Sequence, residues 1–195
     1  MFRQNSSFLN LLLSYPDMVV GETDYVQKLS IEPDADLRVM GDLHGCAQAF
    51  VRMLILLMNE GFIDGGLRLT GQNTYLIFLG DFVDYGRNGC DTLALMMLCR
   101  CINPQRVLVC RGNHEDCSIY ARPEYGFLLE LQSRYGDQTV ALRSAIDSSF
   151  ECMPLAIFAG IRGQPAGAVH FLSAIRSSNF TLALQPALLS CAMVA

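Results

Sequence analysis

At 195 residues the chain is long enough to fill one sizeable core, and a single domain is expected rather than several. Apolar residues make up 51% and charged residues 17%, a balance that excludes an intrinsically disordered segment. The net charge of −5 excludes a general attraction to nucleic acid or to an anionic membrane surface.

Residues 1–34 carry no readable signal beyond "FLNLLL" at 8–13, which has only Arg3 before it and no small-residue cleavage site, so it is a poor signal peptide. "DLRVMGD" (36–42) is a short apolar run ended by Gly-Asp. "CAQAFVRMLILLMNEG" (46–61) has helical length and closes at Gly61, and its "MLILLM" core is far too short to span a bilayer. "TYLIFLGD" (74–81) is a second apolar run ending in Gly-Asp. "CDTLALMMLCRC" (90–101) is again of helical length, and Pro104 stops it. "RVLVCRGNH" (106–114) is a third apolar run, ending in Gly-Asn-His. Continuous apolar strands separated by helices predict an α/β fold with a parallel sheet covered on both faces.

Lys28 is the only lysine, so nearly all positive charge is arginine. None of the eight cysteines (46, 90, 99, 101, 110, 117, 152 and 191) forms a C-x-x-C pair, and several sit in apolar runs. Buried reduced thiols in a reducing compartment, the cytoplasm, are expected of a soluble chain. After Glu151 there is no Asp or Glu, and "QPALLSCAMVA" ends the chain without a cap or an amphipathic stripe.

Polar residues fall at the same place three times, just past the carboxyl end of a predicted strand, where open α/β sheets bind ligands. "GDLHG" (41–45), "GDFVDYG" (80–86) and "RGNHE" (111–115) bring Asp42, His44, Asp81, Asp84, Asn113 and His114 to one rim. Each piece alone is ambiguous: a turn with a solvated Asp, an Asx-turn, or a helix start whose polar side chains cap backbone N–H groups. Together they form a hard-to-borderline donor set suited to Mn²⁺, Fe or Zn²⁺. Two such ions about 3.5–4 Å apart can clamp both the attacking and the leaving oxygen of a phosphoryl displacement.

The series G-D-x-H-G, G-D-x-V-D-x-G and R-G-N-H-E resembles the signature of the calcineurin-like metallophosphoesterases, and Arg111 with the Val83-Asp84 pair resembles the phosphoprotein phosphatase branch. The resemblance implies an α+β sandwich, with central sheets flanked by helices and the second half incomplete. It also implies two divalent metal ions, Mn²⁺ first with Fe or Zn as others. Asp42 and His44 would hold the first metal, Asp81 would bridge both, and Asn113 would bind the second. His114 would protonate the leaving oxygen and Asp84 would orient its ring. "ECMPLAIFAGIRGQPAGAVHFLS" (151–173) resembles the family's next landmark and offers His170 to the second metal, although a strand histidine satisfied by backbone fits as well.

Three departures stand out. Tyr85 replaces the arginine of the family's D-R-G, leaving Arg87 and Arg111 as candidate phosphate contacts. Phe171 and Leu172 follow His170 where the family has two glycines, and no later histidine exists. The chain also stops well before the family's catalytic domain normally ends. The implied layout is an unassigned segment at 1–34, a partial metallophosphoesterase domain at 35–175 and a tail at 176–195. The expected activity is hydrolysis of phosphoserine and phosphothreonine in a phosphorylated protein substrate, with neither nucleic acid nor membrane as partner. A dinucleoside tetraphosphate hydrolase and a non-catalytic, phosphatase-like binding protein are the alternatives. No residue identifies a regulatory subunit.

Overall fold

The structure is a computed structural model that describes residues 25–163 and the backbone of 169–172. It opens with β1 (Val26–Ile31), β2 (Asp36–Met40), α1 (Ala47–Asn59), β3 (Thr74–Phe78), α2 (Gly89–Ile102) and β4 (Val107–Val109). A 3₁₀ turn at Asn113–Glu115 follows, then α3 (Cys117–Tyr120), α4 (Phe127–Tyr135), a second 3₁₀ turn at Gly136–Gln138, α5 (Thr139–Glu151), β5 (Ala156–Ile161) and β6 (Val169–Leu172). β2, β3 and β4 form a parallel sheet in chain order. β5 pairs in parallel with β1 and antiparallel with β6 to form a second sheet.

The central sheet is buried on both faces, and the pleat sorts its side chains. Leu76, Phe78, Val107 and Val109 point to the helical side, where they pack with Phe50, Met53, Leu54 and Leu57 of α1 and with Leu93, Met96 and Met97 of α2. Leu37, Val39, Ile77 and Leu108 point the other way, against Ile31, Ile157 and Ala159 of the second sheet. The sheet is thus covered as expected, but by helices on one face and by strands on the other. The near-continuous apolar runs are the consequence of this double burial.

α1 buries an i, i+3, i+4, i+7 stripe and ends where Gly61 takes a left-handed φ of 72°. α2 stops at Ile102, two residues before Pro104. Its first turn has no side-chain cap of its own; instead Glu130 of α4 accepts hydrogen bonds from the Gly89 and Cys90 amides at 2.7 and 3.2 Å. β1 falls in the stretch that offered no sequence reading, because its order comes from pairing with β5, 130 residues further along the chain at Val26–Ala156. Cys90, Cys99 and Cys110 are buried thiols, and burial pushes the last two up to about 12. Cys46 and Cys117 are exposed, and Cys191 lies outside the described residues. Among the described residues no helix is long and apolar enough to cross a membrane.

What positions the site is the shared register of the three parallel strands. Met40 is opposite Phe78 and Phe78 opposite Val109, so the segments that follow leave the sheet at one level. Glu115 then ties two of these segments together. Its fully buried carboxylate accepts from the Asp81 amide at 2.7 Å, the Phe82 amide at 2.8 Å and the Gly112 amide at 2.8 Å. Burial pushes this carboxyl up to about 7 and Asp81 adds to the rise, while the three N–H donors oppose it.

Three substitutions test this packing by urea denaturation. Phe78→Ala is expected to cost about 3–5 kcal/mol, since Phe78 is fully buried and contacts the rings of Phe50 and Phe82. The exposed Val140→Ala is expected to stay within about 0.5 kcal/mol. Glu115→Gln replaces an acceptor oxygen with an NH₂ group facing N–H donors, and a loss of about 1–3 kcal/mol is expected. An unchanged midpoint in Glu115→Gln would show that this carboxylate does not hold the strand ends together.

Candidate metal centre

The first strand end turns sharply after β2. The Leu43 and His44 amides donate to the Asp81 carbonyl at 3.0 and 2.8 Å, and the Gly45 amide donates to the Phe82 carbonyl at 2.8 Å. The loops after β2 and β3 are therefore laced backbone to backbone. Gly112 meets the Asp81 segment so closely that a Cβ there would lie 2.3 Å from Asp81 Oδ1. Only glycine permits that approach.

Four non-glycine residues at this rim have left-handed φ: His44 at 42°, Asp81 at 53°, Asp84 at 70° and Tyr85 at 58°. Such backbone costs about 1–3 kcal/mol per residue and persists where surrounding bonds over-determine it. Here the Glu115 cradle and the inter-loop amide bonds do so. The Gly86 amide also donates to the Asp84 carbonyl at 2.6 Å across Tyr85, a γ-turn that combines with the positive φ of Tyr85.

Asp42, His44 and Asp81 converge, with one ligand atom from each lying within 4.8 Å of the others. His44 Nε2 is 3.8 Å from Asp42 Oδ2, and its Nδ1 lies 3.2 Å from the Val83 carbonyl. A ring anchored to a carbonyl through Nδ1 leaves Nε2 for a cation. Asp81 is buried and accepts from the His114 amide through Oδ1 at 2.9 Å. Burial raises its carboxyl above the usual range and the Asp42 charge raises it further, against the lowering by the His114 amide. Two crowded carboxylates and an anchored imidazole are a donor set that a divalent cation relieves electrostatically, so these residues fit a metal.

His114 stands beside this group, its ring 4.9 Å from that of His44. Its Nδ1 is 2.7 Å from Asp84 Oδ2, and both side chains are buried. The other Asp84 oxygen accepts from the Phe127 amide at 3.3 Å, which fixes the carboxylate from behind. The ring stands in edge or tilted contact with Tyr85 and Tyr125, at 5.1 and 5.3 Å.

Asn113 occupies the exposed first position of the 3₁₀ turn, next to His114. The Arg111 guanidinium lies 3.6 Å from Asp116, and its Nε donates to the Glu115 carbonyl at 3.3 Å. Arg87 is exposed. His170 lies on β6 opposite Ala159, and its side chain is outside the described residues. Sequence reasoning missed the structural part of Glu115, although a polar side chain capping backbone N–H groups had been one reading of "GNHE". It also missed Tyr125, which lies ten residues past the third motif and carries no signal of its own.

Residues 37–186 match the calcineurin-like phosphoesterase family. The chain is 32% identical over 149 residues to serine/threonine-protein phosphatase 7 of Arabidopsis thaliana, an alignment that covers 76% of this chain and 33% of that protein. It is 29% identical over 153 residues to serine/threonine-protein phosphatase rdgC of Drosophila melanogaster, covering 78% of this chain and 21% of that protein. A solved protein serine/threonine phosphatase from Saccharomyces cerevisiae, described as similar to human phosphatase PP5, shares the fold with a TM-score of 0.65 at 24% identity. That match covers 82% of this chain and 46% of the yeast protein. The chain thus spans between about a fifth and just under half of these relatives' lengths. With 150 matched residues and the strand-end geometry described above, it belongs to the calcineurin-like phosphoesterase family.

Proposed function

We propose that the chain is a metal-dependent phosphomonoesterase acting on phosphoserine and phosphothreonine in proteins, the substrate class named for its Arabidopsis and Drosophila relatives. One observation carries the reading: a convergent Asp42, His44 and Asp81 donor group lies directly beside a buried His114–Asp84 pair. Ligands alone would suit a metal store, and an imidazole–carboxylate pair alone would suit a core. Side by side they suit hydrolysis with a protonated leaving group.

In this reading residues 35–175 form the phosphoesterase domain, between the segments 1–34 and 176–195, and the chain works in the reducing cytoplasm. Asp42, His44 and Asp81 would hold one divalent cation, and Asp81, Asn113 and His170 would hold a second; Mn²⁺, Fe and Zn²⁺ all suit such donors. When bound, these ions supply Lewis acidity to the phosphoryl oxygens and a nucleophilic water at neutral pH. His114 gives a proton to the leaving serine or threonine oxygen. Asp84 holds Nδ1 of that ring at 2.7 Å, which orients the ring and leaves Nε2 for the substrate. Glu115 and the amide lacing keep Asp81 and His114 in register. The exposed Arg87 supplies positive charge to the phosphate, with Arg111, paired to Asp116, as a second cation.

Three variants separate these roles with a phosphothreonine peptide, Mn²⁺ and elemental analysis of the purified chain. His114→Asn is expected to lower kcat by about 100-fold or more with unchanged metal content; loss of metal would contradict the acid role. Asp81→Asn is expected to lose metal from both sites, and full occupancy would contradict its shared position. Arg87→Ala is expected to raise KM severalfold, and unchanged kinetics would remove it from the site.

A further inference from the structure

The rim carries an aromatic feature that phosphoryl chemistry does not require. Tyr85 is 62% exposed, yet its ring packs against three neighbouring rings. It sits at the centre of the γ-turn between Asp84 and Gly86, and its own amide donates to the Tyr125 carbonyl at 2.8 Å. Its ring meets Tyr125 edge-on at 5.4 Å, His44 edge-on at 4.9 Å and His114 at 5.1 Å. Tyr125 in turn meets His114 edge-on at 5.3 Å. Two tyrosines joined by backbone and ring contacts therefore flank the histidine assigned to the leaving group.

We propose that Tyr85 and Tyr125 form an aromatic wall that makes this site prefer aryl phosphomonoesters, phosphotyrosine among them, over phosphoserine and phosphothreonine. The inference rests on the phosphoesterase reading of the site and places aryl esters ahead of the phosphoserine and phosphothreonine assigned to it above. Aromatic rings attract one another in edge-on and offset arrangements at the spacings seen here, and a planar leaving group beside His114 would meet both tyrosine rings. An alkyl leaving group offers them no face. Chemistry points the same way. A phenol releases its proton near pH 10, so a phenolate leaves more readily than a serine alkoxide and asks less of phosphate-binding cations. This rim has a tyrosine at the position that follows Asp84, and Arg111 is engaged by Asp116. In the reaction the phosphorus–aryl oxygen bond breaks, a water oxygen bonds to phosphorus, and one proton of that water ends on the phenol.

The test uses the full chain with Mn²⁺ and one peptide sequence in four forms. Two carry phosphotyrosine or phosphothreonine and report turnover. Two carry non-hydrolysable phosphonates, 4-(phosphonomethyl)phenylalanine or 2-amino-4-phosphonobutyrate, and report binding by calorimetry. The expected result is about tenfold higher kcat/KM for the phosphotyrosine peptide and at least about fivefold tighter binding of the aryl phosphonate. Tyr85→Leu should abolish both preferences, mainly through KM, and Tyr85→Phe should retain them. Turnover of both peptides at equal kcat/KM would overturn the aromatic wall and leave the phosphoesterase reading standing. Tighter aryl binding without turnover of either peptide would support the wall and sink the enzyme reading. Equal binding of the two phosphonates, or a preference untouched by Tyr85→Leu, would overturn the wall.

Discussion

A single buried carboxylate holds the candidate site in shape. Glu115 accepts from the amides of Asp81, Phe82 and Gly112, and so joins the segment after β3 to the segment after β4. Without that junction, nothing in a parallel ladder obliges two successive strand-end loops to stay in contact once they leave the sheet. With it, Asp81 lies against the His114 amide and Gly112 lies against Asp81. The glycine is as necessary as the carboxylate, because any Cβ would occupy the space of the Asp81 side chain.

The same economy appears in the backbone strain. His44, Asp81, Asp84 and Tyr85 all take left-handed φ, and all four are at the rim. The cost is met by the inter-loop amide bonds and by the two apolar layers on either side of the central sheet. A rigid, doubly buried platform carries the strained rim. The electrostatics follow from the same crowding, since burial and Asp42 both raise the Asp81 carboxyl.

Much of this was readable from the residues, for identifiable reasons. The three parallel strands announce themselves because double burial demands unbroken apolar runs, and the helices between them because Gly61 and Pro104 mark their ends. The rim motifs are readable because they recur three times in order, each past a predicted strand, although each alone is ambiguous. Other parts were silent. β1 owes its order to β5 rather than to its own pattern "VQKLSI". The second sheet as the opposite cover of β2–β4 could not be told from a helical layer, since both bury the same alternate side chains. Glu130 as the cap of α2 and Tyr125 at the rim are long-range contacts with no local periodicity to reveal them. The His170 expectation falls on a strand whose side chains lie outside the description.

The central claim is that Asp42, His44 and Asp81 converge to share one divalent cation. Anomalous scattering at the manganese edge, from crystals of the chain grown with MnCl₂, tests it most directly. The account predicts a peak bonded at about 2.0–2.3 Å to a carboxylate oxygen of Asp42, to His44 Nε2 and to a carboxylate oxygen of Asp81. A peak bonded to none of these three, or none at saturating manganese, would contradict it.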